Sequence, residues 1–482
     1  MSAKSITKKK ADFLMAKNTV SKQALFETVP APKALMTMAI PTVISQLINL
    51  VYNMVDAIFI GMTGDPYKTA AATLAFTIFM MTVSLANLFG IGGGSLMARL
   101  IGKGENDKAK AVCAFSFYGA IAISLLYSLI IGLFLEPILW FLGASEQTLP
   151  FAKQYIWLVV IVGNLPNILA NVIAHLLRNT GYSRQASFGL SLGGVLNIAL
   201  DPLFMFVLLP SGMEVVGAAL ATLIANVVSC VYLLIVQARL TGKAPVSMRP
   251  RDMRMLEKAE LKAIFAVGVP SAILTALADV ANMVLNFLMA AHGDLELAAV
   301  GIVIKASRLP NAINIGICQG MLPIVAYNYS SGNHKRMDDV IRTARISGLV
   351  IAVVTLVLYE IFALPICKVF LIAKQENAVE ALATVTMAAT FLRLRSIASV
   401  PQFLNYNTSF CMQAMGNGTG TLLHACMREL VFYVPFMYLF DSLFGTNALA
   451  GAQIAGELCG AVFALVYFTQ WKRRHLHRLA QK

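Results

Sequence analysis

Residues Leu196–Phe204 read Leu-Asn-Ile-Ala-Leu-Asp-Pro-Leu-Phe and lie inside a long apolar run. This stretch places one carboxylate, Asp201, among aliphatic and aromatic side chains. A charged group surrounded by hydrocarbon is costly, so such an acid points to function by default. Asn197 precedes Asp201 by one helical turn, which puts both side chains on one helix face. An amide oxygen and a carboxylate on one face could together hold a cation or share a proton. Pro202 removes a backbone hydrogen bond beside them and is a predicted hinge.

The composition of the chain is that of a membrane protein. Its 482 residues are 58% hydrophobic and only 13% charged, which is too apolar for a soluble protein of this length. Twelve apolar runs reach the ~17–20 residues that a membrane-spanning helix needs. They lie near residues 35–61, 71–101, 111–143, 152–177, 186–209, 215–238, 261–291, 296–327, 341–371, 379–411, 417–440 and 447–470. The sequence therefore predicts an all-α, multi-pass protein of the cell membrane, in contact with the lipid bilayer.

The basic residues predict the orientation of the chain. The net charge of +14 would suit nucleic acid as a partner, but the Lys and Arg residues collect in alternate connections. Seven precede Ala34, and seven more lie between Arg239 and Lys262. The connections on the other side hold little beyond Lys68, Lys153 and Lys374. This asymmetry predicts that both termini are cytoplasmic and argues against nucleic acid.

One wide basic connection divides the spans into six and six. It contains Gly242, Pro245 and Pro250, which favour a loop. The predicted units are a cytoplasmic N-terminal tail (1–33), a first six-helix lobe (34–238), a cytoplasmic basic linker (239–260), a second six-helix lobe (261–471) and a cytoplasmic C-terminal tail (472–482).

The two halves of the chain resemble each other. Pro41-Thr-Val-Ile recurs as Pro270-Ser-Ala-Ile, and Asn53-Met-Val recurs as Asn282-Met-Val. Each half has an even number of spans, so the repeats are parallel and form two pseudo-symmetric six-helix bundles. This architecture places a substrate cavity between the bundles. The short connections leave no room for a soluble enzyme domain, and the seven cysteines show no metal-ligand spacing.

Polar side chains follow single faces of three spans. In the first span three, four and three residues separate the polar side chains of Gln46, Asn49, Asn53 and Asp56, which places them on one helix face. Asp56 ends that face at a depth similar to Asp201, so both acids could face one pocket. Each face fits a cavity wall or a seam of hydrogen bonds between helices, and Pro41 is a second predicted hinge. The candidate cavity residues are Gln46, Asn49 and Asn53 in the first span, Asn164, Asn167 and Asn171 in the fourth, and Asp279 and Asn282 in the seventh.

Taken together, these features resemble the multidrug and toxin extrusion (MATE) family of antiporters. The resemblance rests on Pro41 followed by Asp56, on Asn197-x-x-x-Asp201-Pro202, and on Gly217-Ala-Ala-Leu-Ala-Thr222. It implies a two-lobed exporter of varied lipophilic, often cationic compounds, driven by inward flow of H⁺ or Na⁺. It also implies that Asp56, Asn197, Asp201 and Thr222 form the coupling-ion site, which would be the only place for a metal ion, as Na⁺. We expect a monomer without a cofactor and without enzyme activity.

The second half adds basic residues at membrane depth, and these keep an alternative open. We expect most of them to form ion pairs that line the second bundle. Otherwise they would serve an exporter or flippase of anionic or lipid-linked solutes, which would tolerate loss of Asp56. The basic residues are Lys305, Arg308, Arg393, Arg395 and Arg428, and the accompanying acids are Asp279, Glu360, Glu429 and Glu457.

Overall fold

The computed structural model describes residues 23–370 and 378–480. Within these residues every extended regular element is helical. Ten helices are long and apolar enough to cross a membrane, or twelve if each of two bent helix pairs counts as one span. The prediction of an all-α, multi-pass membrane protein is confirmed. The predicted tail up to Lys22, the loop residue Lys374 and the last two residues of the C-terminal tail lie outside the described residues.

The first lobe contains seven α-helices. Its fourth span is a bent pair, in which residues 149–162 meet residues 164–179 at 46°. A π-helical turn, Trp157–Val162, separates these two helices, and a second one, Phe204–Leu208, follows Pro202. The helices are α1 (Ala31–Met62), α2 (Pro66–Gly102), α3 (Asn106–Phe141), α4 (Leu149–Ile156), α5 (Asn164–Asn179), α6 (Ser183–Leu203) and α7 (Glu214–Leu240).

The second lobe repeats this plan. Its bent pair meets at 49°, and the π-helical turn Met427–Tyr433 lies within its fifth span. The last helix continues beyond Trp471, so most of the predicted C-terminal tail is a helical extension. The helices are α8 (Lys258–His292), α9 (Asp294–Ser330), α10 (His334–Phe370), α11 (Ala378–Ile397), α12 (Ser399–Ala414), α13 (Gly418–Cys426), α14 (Val434–Phe444) and α15 (Thr446–Ala480).

Matching kinks show the duplication in the backbone. The third span of each lobe loses helical geometry at one phenylalanine, Phe134 in α3 (φ −113°, ψ 20°) and Phe362 in α10 (φ −107°, ψ 19°). Each lies one turn before a proline, Pro137 or Pro365. A proline removes a backbone hydrogen bond and crowds the preceding turn, which kinks a helix. The same local cause therefore bends the same span in both lobes.

The helix connections alternate between two faces of the molecule. We call the face that carries the start of α1, the basic linker and the end of α15 the terminal face, and the other the opposite face. By the distribution of Lys and Arg, the terminal face is the predicted cytoplasmic one.

The lobes pack against each other in the half next to the terminal face. Gly92 on α2 lies against Gly268 on α8, so that a Cβ atom on Gly92 would be 2.9 Å from the Gly268 Cα atom. The equivalent crossing joins Gly320 on α9 to Ala39 on α1, where an added Cβ atom would be 2.5 Å from the Ala39 Cα atom. Small residues allow two helix backbones to approach this closely. The repeat thus supplies two related close crossings.

Hydrogen bonds between the lobes reinforce these crossings. The Ser95 hydroxyl donates to the carbonyl oxygen of Gln413 over 2.5 Å, and the Ser330 hydroxyl donates to that of Arg99 over 2.6 Å. Further from the terminal face, Asn87 Nδ2 donates to the Thr275 hydroxyl and Gln46 Nε2 donates to Gln319 Oε1. In the opposite half, Lys305 and Arg308 are exposed. The lobes are therefore in close contact at the terminal face, and the cleft between them opens at the opposite face.

A short segment before α1 rests on the second lobe. Residues 23–27 are helical, and Leu25 and Phe26 are buried. The Phe26 ring stacks on Tyr327 with centroids 5.2 Å apart, and the Tyr327 hydroxyl donates to Glu27. Arg336 donates to the carbonyl oxygens of Leu25, Phe26 and Val29. This part of the predicted N-terminal tail is therefore packed and connects the two lobes.

Candidate functional site

The predicted pair Asn197 and Asp201 is buried at the contact of α6 with α7. Asp201 is fully buried and Asn197 is 1% exposed. Asn197 Nδ2 donates to Asp201 Oδ1 over 3.0 Å and to the Thr222 hydroxyl over 3.2 Å. The one-turn spacing does place the first two on a common face. Thr222, which the family resemblance implied, joins them from the next helix.

Asp56 approaches the same region from α1. Its Oδ2 atom accepts a hydrogen bond of 3.2 Å from the hydroxyl of Tyr155, at the end of α4. Asp56, Tyr155 and Thr222 line one cavity, together with Tyr52. Asp201 lies close enough to interact electrostatically with Asp56. Thr222 lines this cavity and bonds to Asn197, the partner of Asp201, so it connects the two carboxylates.

Three buried oxygen atoms in this region have no hydrogen-bond partner among the described residues. They are Asp56 Oδ1, Asn197 Oδ1 and Asp201 Oδ2. Within the same part of the chain, neither carboxylate forms a salt bridge, and no group of three or more His, Cys, Asp or Glu side chains could hold a metal ion. Buried carboxylates without an opposite charge are costly. Oxygen ligands suit hard cations, so these atoms fit a proton or a small cation such as Na⁺.

Several of the predicted polar side chains line a second cavity, inside the first lobe. This cavity is bordered by Asn49, Asn167 and Asn171, as well as by Asn197 and Thr222. It therefore reaches the acid site from within the bundle.

Other predicted cavity residues lie elsewhere. Asn53 borders the smaller cavity beside Asp56. Asn164 Nδ2 donates to the Ser124 carbonyl oxygen over 3.0 Å, in a seam between α5 and α3. Gln46 Nε2 donates to Gln319 Oε1 over 3.2 Å, across the two lobes. The two interpretations of these polar faces thus coexist: part of each face borders a cavity and part bonds to a neighbouring helix.

Asp279 and Asn282 lie on α8, in the second lobe. Asn282 Nδ2 donates to the Ala278 carbonyl oxygen, and Asp279 is partly exposed. Neither borders the two cavities around the first-lobe acids. Their part in substrate binding stays a prediction, as does the hinge role of Pro41, across which α1 runs as one continuous helix.

The predicted ion pairs of the second lobe are present around Arg428. Its Nε and Nη2 atoms donate to the carboxylate of Glu457 over 2.9 and 2.6 Å, and Nη1 lies 3.4 Å from Glu429 Oε1. All three side chains are buried. Lys305 and Arg308 differ, because among the described residues no carboxylate oxygen lies within 4.0 Å of either cationic group. The expectation of ion pairing is wrong for these two residues. It is also wrong for Arg393, which bonds to the backbone carbonyl oxygen of Glu360, and for Arg395, since neither forms a salt bridge among the described residues.

Two repeated helical lobes, a cleft between them and buried acids without counter-charges define a multi-pass membrane transporter. The sequence model of the MatE family matches residues 41–203 and 270–439, one stretch in each lobe. The multidrug export protein MepA of Staphylococcus aureus (strain MRSA252) is 30% identical over 444 residues, which is 92% of this chain and 95% of that protein. The chain belongs to the MatE family, whose members are transporters and not enzymes.

Solved structures show the same fold. A MATE protein crystallised in complex with MaL6 aligns with a TM-score of 0.87 and 23% identity, over 96% of this chain and 99% of that one. A multidrug resistance MATE transporter in an outward-facing conformation aligns with a TM-score of 0.86 and 24% identity, over 96% and 99% of the two chains.

Proposed function

We propose that this protein is an antiporter that exports varied lipophilic, often cationic compounds in exchange for H⁺ or Na⁺. The observation that carries the proposal is a set of three oxygen atoms, on Asp56, Asn197 and Asp201, that have no hydrogen-bond partner in the part of the chain that the structure describes. The names of curated relatives, which describe multidrug export proteins, support the same activity.

The coupling ion and a cationic substrate would compete for the same negative charge. A proton or Na⁺ bound between Asp56 and Asp201 cancels one of their negative charges, which weakens the attraction for a substrate cation. Coupling requires that the two ligands favour different conformations of the protein. The contacts from Tyr155 and Asn197 to these carboxylates connect ion binding to the positions of α1, α4 and α6.

The closed contacts at the terminal face support a state that would take up the ion from the opposite face. With that face in the cytoplasm, the cleft is open to the outside, where the ion enters and the substrate leaves. The return to the inward-open state requires the glycine crossings and the cross-lobe hydrogen bonds to separate. Bending of α1 at Pro41 and of α6 at Pro202 would move the two acids while the lobes rotate.

Dye efflux from proteoliposomes tests this proposal, with the pH gradient and the Na⁺ gradient imposed separately. We expect export under one gradient, and loss of export in Asp56→Asn and Asp201→Asn while the protein still folds. Glu136→Gln is the matched control, because this first-lobe carboxylate is 55% exposed and bonds to Lys153 at the surface. Export by Asp201→Asn at the wild-type rate would show that the site is wrongly assigned.

The alternative function is export or flipping of anionic or lipid-linked solutes. One observation supports testing it. Arg395 is buried and two of its guanidinium nitrogens have no partner among the described residues. Arg428, in contrast, is already neutralised by Glu457, which favours the antiporter. The alternative predicts that Arg395→Gln abolishes transport and that Asp56→Asn does not.

A further inference from the structure

Two cations of the second lobe have no assigned role. Lys305 and Arg308 lie one turn apart on α9, in its half near the opposite face, and both are exposed. Neither forms a salt bridge within the described part of the chain. An unpaired cation at membrane depth needs a reason, as an acid does.

The helix geometry directs both side chains toward the first lobe. Gly316 on α9 contacts Val43, and Gln319 binds Gln46, so this face of α9 meets α1 near the terminal face. Residues separated by eleven positions differ in direction by only about 20° and lie ~16 Å apart along the helix. Lys305 and Arg308 precede Gly316 and Gln319 by that spacing. They therefore project into the cleft beyond the point where the lobes separate.

A contact across the cleft confirms this direction for Arg308, although Pro310 lies between it and Gly316. Its guanidinium carbon is 5.0 Å from the centre of the Phe76 ring, on α2 of the first lobe. Phe76 also lines the cavity that contains Asp56. The guanidinium group thus stands at the rim of the acid site. Asp279 on α8 interacts electrostatically with the guanidinium group. This single carboxylate cannot balance the charges of both Lys305 and Arg308.

The ring contact leaves the guanidinium group able to bind a ligand. Its five N–H donors lie in one plane and fit the two oxygens of a carboxylate. A ring face next to the cation can hold this plane in position. This contact does not use the N–H donors, which stay available for a ligand. Lys305, one turn away, adds a second donor of the same charge.

We propose that Lys305 and Arg308 form a binding site for the carboxylate of a substrate. The cleft would then contain two binding sites of opposite charge. The acids of the first lobe would bind a cationic group, and Lys305 and Arg308 would bind an anionic one. It would take amphipathic molecules that carry both groups. This inference rests on the proposed export function and assigns the residues that recognise the second group.

Two dyes distinguish binding at the two sites: a cationic rhodamine methyl ester and the free carboxylic acid of the same dye. Dissociation constants are measured by fluorescence with the purified protein in detergent, and export is measured in proteoliposomes. We expect Arg308→Gln to weaken binding of the acid about tenfold, the effect of losing one charge-assisted hydrogen bond, and not to weaken binding of the ester. Lys305→Gln should act in the same direction, and Arg308→Lys should retain most of the affinity for the acid.

Arg342→Gln is the control, since Arg342 is an exposed arginine of the same lobe near the terminal face. Equal effects of Arg308→Gln on both dyes, or none on the acid, would overturn this inference. If the wild-type protein did not bind the acid, the inference would also be wrong. Failure of the proposed function would look different, because export of the ester would then be the same in Asp201→Asn as in the wild type.

Discussion

The hydroxyl group of Tyr155 donates a hydrogen bond to Asp56 over 3.2 Å, across 99 residues of sequence. It joins the end of α4 to the last two turns of α1 and contacts one of the two carboxylate oxygens. The other oxygen, Oδ1, has no partner among the described residues. Tyr155 therefore orients the carboxylate and leaves Oδ1 available for an ion.

Tyr155→Phe removes this hydrogen bond and keeps the aromatic ring. A hydrogen bond donated to a carboxylate stabilises its charged form, and such a bond contributes about 1.5–3 kcal/mol. Without it the carboxylate binds a proton more tightly, so we expect a roughly tenfold or larger rise in apparent affinity if the coupling ion is H⁺. The measurement is the initial rate of dye efflux as a function of pH and of Na⁺ concentration. Tyr127→Phe is the matched control, because its hydroxyl donates to the Ile78 carbonyl oxygen away from the acids. The same shift in both variants would contradict the role given to Tyr155.

Gly268→Ala tests the closed contact at the terminal face. An added Cβ atom would overlap the carbonyl oxygen of Leu88 on α2. Since this oxygen belongs to the backbone, the helices must separate, and we expect the state described here to become less populated. Spin labels on Lys103→Cys and Asn333→Cys, which are exposed on the two lobes, should report longer distances.

The control for that experiment is Gly301→Ala, because nothing lies within 4 Å of the added atom there. Unchanged distances in Gly268→Ala would mean that the crossing adapts without separating the lobes.

Arg428→Met tests the buried charges of the second lobe. The substitution leaves Glu457 and Glu429 buried without their cation, and breaking such a pair typically costs about 3–5 kcal/mol. We expect a clear fall in the melting temperature of the purified protein, partly reversed by adding Glu457→Gln. Lys153→Met breaks an exposed pair with Glu136, where the expected loss is below about 1 kcal/mol. A similar small loss in both variants would show that the buried pair adds little.

Local patterns in the sequence predicted the spans and much of the acid site. Hydropathy marks each span because a bilayer demands about twenty apolar residues, and a one-turn spacing places Asn197 beside Asp201. Tyr155 was missed because its partner is 99 residues away and a tyrosine in an apolar span carries no periodic signal. The pairing of Arg428 with Glu457 was anticipated only as one of several. Nothing in the spacing of Lys305 and Arg308 indicated that they would stay unpaired, since that depends on how the lobes meet.

The contacts of Arg336 set an order of events during synthesis. Residues 23–29 leave the ribosome before any helix of the first lobe, yet their hydrogen-bonding partners lie near Tyr327 and Arg336, about three hundred positions later. Residues 23–29 are therefore made early but are among the last to reach their final place. Until the ninth and tenth helices have been inserted, Leu25 and Phe26 have no surface to cover them.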